Sequence, residues 1–200
     1  MKTIKKPVQS EINIKKSQFI CCLFPTKNKR ESKEIIQKLN QKYNDATHNC
    51  TAYIVGDGEG FDDDGEPGGT AGRPMLNVLK KNEMENLVAI VTRYFGGIKL
   101  GAGGLVRAYS KSVLETLSIA EIVDMELYEI FRFTFEYQHI KTIDGEIRSK
   151  NLAVVEKQYE TNVIYYVASN NIEMINNIQE KLVNEVKIEH LGSRFLEKIE

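Results

Sequence analysis

The sequence predicts an α+β protein with two domains, residues 1–124 and 125–200. Apolar side chains recur with helical spacing in some segments and alternate with strand spacing in others, so we expect both element types in each block. The second block has the order strand, helix, strand, strand, helix, strand, which is that of a ferredoxin-like sandwich. A content of 42% hydrophobic and 28% charged residues is typical of a folded globular protein.

The first block is arranged around one continuous apolar run. That run, LVAIVTRYF at residues 87–95, predicts a central strand covered on both faces. Residues 56–72 are rich in Gly, Asp and Pro and predict a loop. The other predicted elements of this block are strands at 17–26 and 47–56 and helices at 28–43, 73–82 and 103–120. Two of these helices have apolar faces, formed by Ile35, Ile36, Leu39 and Tyr43 and by Leu105, Val106, Tyr109, Val113 and Leu117.

The second block begins with an alternating strand at about residues 126–138, in which Leu127, Phe133 and Phe135 share one face with either Ile130 or Phe131. The later elements follow with short connections. They are a helix at 140–151, hairpin strands at 153–159 and 162–168, a helix at 171–185 and a strand at 186–199.

Charge and hydropathy limit the partners of the chain. The opening MKTIKKPVQSEINIKK lacks the apolar core of a signal peptide, and no apolar run approaches the roughly 20 residues that span a bilayer. We therefore expect a cytoplasmic protein without a membrane partner. Residues 1–42 hold 11 basic and 3 acidic side chains. This excess either attracts phosphates or serves solubility, and the sequence leaves both interpretations open.

The three cysteines predict free thiols, because their number is odd and adjacent cysteines form a strained disulfide. A zinc site from Cys21, Cys22, His48 and Cys50 lacks the usual ligand spacing, so we predict neither a metal nor a cofactor. His48 and Cys50 are also the one candidate Cys–His pair, for which a structural role is expected.

The stretch VTRYFGGIKLGAGGLVRAYS, residues 91–110, contains five glycines between a strand and a helix. It matches neither the Walker A loop nor the dinucleotide-binding fingerprint. Two interpretations remain. Either the glycines and the helix N-terminus form an anion site near Arg93, Lys99 and Arg107, or they form only a tight turn with close packing.

The stretch GEGFDDDGEPGGTAGRP, residues 58–74, is the acidic counterpart, and its glycine positions do not fit an EF-hand. On an extended chain Asp62 and Asp64 point to the same side, so they could bind Mg²⁺ weakly or pair with Arg93 or Arg107. We expect pairing, and hence one site formed by both stretches. No nucleophile motif accompanies them, so no catalytic residue is predicted.

The motifs DDDGEPGGTAGRPML at 62–76 and VTRYFGGIKLGAGGLVRAYS at 91–110 closely resemble those of the YigZ and IMPACT protein family. The resemblance implies a first domain similar to domain IV of elongation factor G, with a ribosomal-protein-like βαβ fold. For the second block it implies a ferredoxin-like domain similar to domain V of that factor. Eukaryotic IMPACT is a translation regulator, but its kinase pathway is not carried over, because the two-block chain resembles bacterial members.

Two functions are compatible with these features. We expect a non-enzymatic binding protein whose partner is RNA, the ribosome or a translation-related protein, and we make no prediction of oligomeric state. The alternative is a hydrolase of a phosphorylated small molecule that uses the carboxylates of residues 62–66 with Arg93 and Arg107. The expected anion- or partner-binding residues are Arg93, Lys99, Gly101, Gly103, Gly104, Arg107, Asp62, Asp64, Glu66 and Arg73.

Overall fold

In the computed structural model, which describes residues 1–56, 58–183 and 185–199, the chain divides into two units, Met1–Asp124 and Met125–Glu200. Both units contain helices and strands, as predicted. The first unit comprises β1 (Lys2–Ile4), β2 (Val8–Ile14), β3 (Ser17–Pro25), α1 (Lys29–Lys42), β4 (His48–Val55), β5 (Gly58–Asp62), α2 (Gly72–Lys81), β6 (Leu87–Tyr94) and α3 (Ala102–Ser118).

The main sheet of the first unit has the order β2-β3-β6-β4-β5, with every neighbouring pair antiparallel. The run at 87–95 forms the central strand β6, as predicted, and it is buried from Leu87 to Arg93. Its alternate side chains face two apolar clusters. Leu87, Ala89 and Val91 pack in the cluster that contains side chains of α2 and α3, whereas Val88 and Ile90 pack in the cluster that contains Leu39 of α1.

The helices follow the predicted faces with one exception. Helix α1 begins after Asn28, whose side chain accepts a hydrogen bond from the backbone N–H of Glu31, and its predicted apolar face packs on the sheet. On α3 the predicted core residue Val106 is 37% exposed, and Ala108 is fully buried instead. Val106 lies between buried Leu105 and exposed Arg107, at the edge of the apolar face of α3.

The segment predicted as a loop contains a strand. Within residues 56–72, β5 pairs with β4 from Gly58 opposite Val55 to Asp62 opposite Thr51. Glycine and aspartate disfavour strands, but β5 is an edge strand, and its pairing with β4 outweighs the local preference. Strands β1 and β2, for which no element was predicted, add further pairing: β2 extends the main sheet, and β1 pairs with residues 122–124.

The second unit has the predicted order of elements. They are β7 (Ile122–Phe135, which begins in the first unit), α4 (Ile140–Ser149, after a 3₁₀ turn at Tyr137–His139), β8 (Ala153–Tyr159), β9 (Val163–Ser169), α5 (Ile172–Lys181) and β10 (Val186–Glu197). The antiparallel sheet has the order β10-β7-β9-β8. Phe131, not Ile130, joins Phe133 and Phe135 in the core beneath the helices, and Leu127 is 48% exposed.

Over the described residues, no helix combines the length and the hydropathy that crossing a membrane requires.

We predict that the two units fold when they are expressed separately as residues 1–124 and 125–200, because each contains its own apolar cluster. Both fragments should give dispersed amide spectra. A fragment of residues 1–117 should denature at a lower urea concentration than 1–124, since buried Ile4 loses its partner Ile122. An undispersed spectrum from either unit would contradict this prediction.

Candidate functional site

The residues that follow β5 form a loop that is held by its own carboxylates. We call residues 62–72 the acidic loop. The carboxylate of Asp63 accepts hydrogen bonds from the backbone N–H groups of Gly69 at 2.7 Å, Ala71 at 3.0 Å and Gly72 at 2.8 Å. Because α2 begins at Gly72, Asp63 also satisfies donors at the N-terminus of that helix. Asp63 therefore fixes the closed shape of the loop.

The neighbouring aspartates also bind backbone N–H groups. Asp64 Oδ2 accepts a hydrogen bond from the N–H of Asn49 on β4 at 2.6 Å, and Asp62 Oδ1 accepts one from the N–H of Asp64 at 2.9 Å. The ring of His48 joins this arrangement, with its Nδ1 2.7 Å from the carbonyl oxygen of Asp64. These bonds attach the acidic loop to the beginning of β4.

Glu66 is the buried centre of the region. Its Oε1 accepts hydrogen bonds from Nη1 of Arg93 at 2.6 Å and from the hydroxyl of Tyr109 at 2.8 Å. Glu66 is 7% exposed and Arg93 is 5% exposed, so this is a buried ion pair. It joins the acidic loop, the central strand β6 and helix α3 at one carboxylate.

The expected partner of Arg93 was therefore wrong. We predicted that Asp62 or Asp64 pairs with Arg93 or Arg107, whereas Glu66 pairs with Arg93. Asp64 has a positive φ of 41°, so the alternating directions of an extended chain end at this residue. The turn that follows carries Glu66 into the interior.

The buried pair is surrounded by groups whose protonation equilibria are shifted. Burial, with Cys50 and Glu66 as neighbours, raises the pKa of Tyr109 far above its usual range, so the phenol stays a donor. The Sγ atom of Cys50 lies 3.0 Å from the carbonyl oxygen of Asp63 and 3.3 Å from the Tyr109 hydroxyl. Burial raises the pKa of Cys50 to about 12. A thiol that stays protonated is a poor nucleophile.

Residues 95–104, which we call the glycine corner, connect β6 to α3. A Cβ atom at Gly96 would lie 1.9 Å from the backbone carbonyl oxygen of Lys16, so only glycine fits there. Gly101 has a φ of 71° and precedes the first residue of α3, and its carbonyl accepts the first helical hydrogen bond, from Leu105. The first turn of α3 contains no acidic side chain.

A match to the Impact N-terminal domain covers residues 15–117, which include the acidic loop, Arg93 and the glycine corner. The chain belongs to the IMPACT family. IMPACT family member YvyE of Bacillus subtilis is 46% identical over 164 residues, which are 80% of this chain and 76% of that protein. IMPACT family member YigZ of Escherichia coli is 34% identical over 169 residues, 81% and 82% of the two chains.

The fold is also present in a solved crystal structure of a hypothetical protein. That chain aligns with a TM-score of 0.66 and 29% identity, over 94% of this chain and 95% of its own.

The structure divides the expected site residues of this IMPACT family chain into two sets. Arg93 and Glu66 are buried against each other, and Asp62 and Asp64 hold the loop backbone. Gly104 is half-buried beside Leu100, and Arg73 lies over the ring of Phe61, 5.9 Å from its centroid. Lys99, Gly101 and Gly103 are the expected residues that are exposed in the glycine corner, and Arg107 is exposed in the second turn of α3.

Two cations remain available at that corner. Among the described residues, no carboxylate lies within 4.0 Å of the side-chain nitrogens of Lys99 or Arg107. A Cβ atom at Gly103 would lie 3.6 Å from Nη1 of Arg107, so this guanidinium lies beside the first turn of α3. Lys99 and Arg107 are therefore exposed, whereas Arg93 is buried against Glu66.

The cysteines do not form a metal cluster. Cys21, Cys22 and Cys50 are free and buried, and no group of three or more His, Cys, Asp or Glu side chains with metal-binding geometry is present in the part of the chain that the structure describes.

Sequence reasoning missed Asp63 and the role of Tyr109. Asp63 lies between two aspartates that were expected to share one side, and nothing in its spacing distinguishes it. Tyr109 was assigned to the helical core, where it lies, but the pattern gives no sign that its hydroxyl binds Glu66.

We expect Glu66→Ala to reduce the free energy of unfolding by about 3–5 kcal/mol, because it leaves Arg93 buried without its counter-charge. Arg93→Ala should have a similar effect, and the double variant should lose less than the sum of both. Asp62→Asn is the matched control, since this exposed carboxylate accepts one local hydrogen bond. Urea denaturation measures all four variants. Additive losses from Glu66→Ala and Arg93→Ala would contradict the coupling.

A second prediction concerns the thiols. Burial raises the pKa of both Cys21 and Cys50 to about 12, so a thiol reagent at pH 8 should label these two residues in the native protein roughly 100-fold or more slowly than in urea. Three thiols should react after denaturation. The pKa of Cys21 is higher in the folded protein than in the unfolded chain, where it is near 9. Burying the neutral thiol therefore contributes fully to stability below pH 9, and this contribution is lost as the pH rises towards 12. Rapid native labelling of Cys50 would contradict its burial.

Proposed function

We propose that this chain is a non-enzymatic cytoplasmic binding protein that recognises RNA or a ribosomal surface through the exposed part of the glycine corner. The observation that carries the proposal is that Lys99 and Arg107, which have no ion-pair partner among residues 1–56, 58–183 and 185–199, accompany the N-terminus of α3, whose first turn has no acid. Backbone N–H groups and the helix dipole favour anions at such a position. The basic excess of residues 1–42 adds long-range attraction for a polyanion.

The buried half of the same region supports binding over catalysis. Hydrolysis through residues 62–66 requires a carboxylate that is free to activate water. Asp63 and Asp64 accept hydrogen bonds from backbone N–H groups, and Glu66 accepts from Arg93 and Tyr109. These carboxylates therefore stabilise the loop, and the hydrolase remains the second candidate only through the exposed second oxygens of Asp62 and Asp64, whose other oxygens accept backbone hydrogen bonds.

Family membership supports a role in translation, because the resemblance described above includes eukaryotic IMPACT, a translation regulator. The fold also supports a role in translation, but only by analogy with translation factors. The order β10-β7-β9-β8 suits a ferredoxin-like domain similar to domain V of elongation factor G. In the first unit, β3, α1 and β4 form a crossover with β6 between the two strands, which suits the ribosomal-protein-like βαβ fold of domain IV. We further propose that the two units are separate domains.

The test is the salt dependence of binding to single-stranded RNA. If phosphates are neutralised, the logarithm of affinity should fall with the logarithm of salt concentration by roughly 0.7 per phosphate contact. The variant Lys99→Ala, Arg107→Ala should bind more weakly and lower this slope by about 1.4, since it removes two contacts.

The control is Lys5→Ala, Lys6→Ala, which removes the same charge from exposed lysines that lie 3.6 and 3.9 Å from the carboxylate of Glu121. Equal losses from both pairs would indicate a diffuse electrostatic surface and overturn the corner as a site. A phosphatase screen of the same preparation covers the alternative. Turnover that is lost in Asp62→Asn, Asp64→Asn would establish the hydrolase instead.

A further inference from the structure

Phe95 is an exposed aromatic side chain held in a rigid setting. Its ring is 46% exposed, although it directly follows the buried strand β6. The backbone N–H of Phe95 donates to Oγ1 of Thr47 at 3.0 Å, and the guanidinium of Arg93 lies over the ring, 5.4 Å from its centroid. Since Arg93 is itself fixed by Glu66, the ring has a defined backing and a large solvent-facing surface.

The turn between β2 and β3 adjoins this ring. The ladder of β3 and β6 ends with Gln18 opposite Tyr94, so Ser17 and Lys16 on one side and Phe95 and Gly96 on the other directly follow the last pair. The close approach of Gly96 to the Lys16 carbonyl confirms that the turn and the corner touch. The hydroxyl of Ser17 also accepts a hydrogen bond from the N–H of Gly96 at 3.2 Å.

The residues of that turn do not suit its conformation. Lys15 and Lys16 form a two-residue hairpin turn with φ values of 45° and 65°. Turns with two positive φ angles strongly favour Asn-Gly, because larger side chains are strained there. Two exposed lysines at this position gain nothing for the fold that Asn-Gly would not provide. Their ammonium groups therefore point to a role outside folding stability.

Exposed lysines lie in the adjoining turn and four residues after Phe95 in the chain. Lys15, Lys16 and Lys99 are exposed, and among the described residues none of them has an ion-pair partner. Two exposed acidic residues also lie at this end of the sheet: Asp45 accepts a hydrogen bond from the Tyr94 hydroxyl, and Asp64 accepts one from the N–H of Asn49 at the start of β4. An exposed ring beside several lysines is the combination that binds single-stranded nucleic acids, in which bases stack on the ring and phosphates meet the cations.

We propose that Phe95 is a stacking platform for an unpaired RNA base, with the flanking phosphates held by Lys15, Lys16 and Lys99. This inference rests on the proposed function and narrows its partner to a single strand. A duplex keeps its base faces inside the stack, so only an unpaired base can lie on the ring. The lysines supply affinity for any polyanion, whereas Phe95 distinguishes nucleic acid from other polyanions.

Tryptophan substitution gives a direct readout, because the chain contains no tryptophan. Phe95→Trp introduces a single tryptophan, and oligouridylate should quench its emission by stacking. The matched control is Phe61→Trp, because Phe61 is 45% exposed and has Arg73 over its ring but lies on β5. A short RNA duplex, polyphosphate and polyglutamate should leave the emission of Phe95→Trp nearly unchanged.

Affinity provides the second arm. Phe95→Ala should weaken oligouridylate binding roughly 5- to 150-fold, while Phe61→Ala leaves it unchanged. Polyphosphate affinity should be the same in wild type and Phe95→Ala. Lys15→Asn, Lys16→Gly should raise Tm by roughly 2–6 °C, since the turn is relieved of strain, and should still weaken oligouridylate binding. A more stable variant that binds less cannot owe its loss to unfolding.

The outcomes separate this inference from the proposed function. If no polyanion binds with the expected salt dependence, the proposed function fails, and the stacking platform fails with it. If oligouridylate binds with that salt dependence but Phe95→Ala has wild-type affinity and Phe95→Trp is not quenched, the stacking platform alone is overturned. Binding of polyglutamate as tightly as oligouridylate would show a surface for acidic proteins and would also overturn it.

Discussion

The buried ion pair of Glu66 and Arg93 is the interaction on which the rest of the candidate site depends. Removing either partner leaves the other charge buried and unsolvated. The acidic loop therefore stays against β6, because moving Glu66 away from Arg93 would cost a large free energy. The same carboxylate accepts the Tyr109 hydroxyl and thereby fixes α3 against the loop. On its other side, Arg93 backs Phe95. One pair thus determines where the loop, the helix and the exposed ring lie.

The fold could be predicted where a periodic apolar pattern coincides with burial. The run at Leu87–Val91 is buried on both faces because α1 covers one and α2 and α3 cover the other. The apolar pattern does not predict an element whose formation depends on pairing with a strand distant in the sequence. Nothing local indicates β5, whose Gly58 and Gly60 disfavour a strand, because its stability comes from hydrogen bonds to β4. The sequence also left open whether Ile130 or Phe131 faces the core, and the positions of the helices decide in favour of Phe131.

The candidate site could be located from the sequence but not assembled. Opposite charges and glycines mark the two segments that meet, yet the choice among four acids depends on the path of a short loop. The left-handed conformation of Asp64 redirects that path; aspartate tolerates this conformation, but nothing in the sequence indicates which of the three adjacent aspartates adopts it. Lys15 and Lys16 were counted only as part of the basic excess, because a Lys-Lys pair gives no signal for a turn that usually requires Asn-Gly.

The acidic loop and the glycine corner therefore carry two kinds of constraint. Residues such as Asp63, Glu66 and Gly96 are determined by the fold, since each fills a position that no other residue type satisfies without loss of a bond or a clash. Exposed Phe95, Lys15 and Lys16 are not explained by the fold, and the two lysines oppose it. Positive φ angles at two lysines are a conformational outlier, and such an outlier motivates a functional hypothesis for the residues that carry it. In the proposed binding mode the buried pair preorganises the ring, which therefore loses little conformational freedom when a base stacks on it.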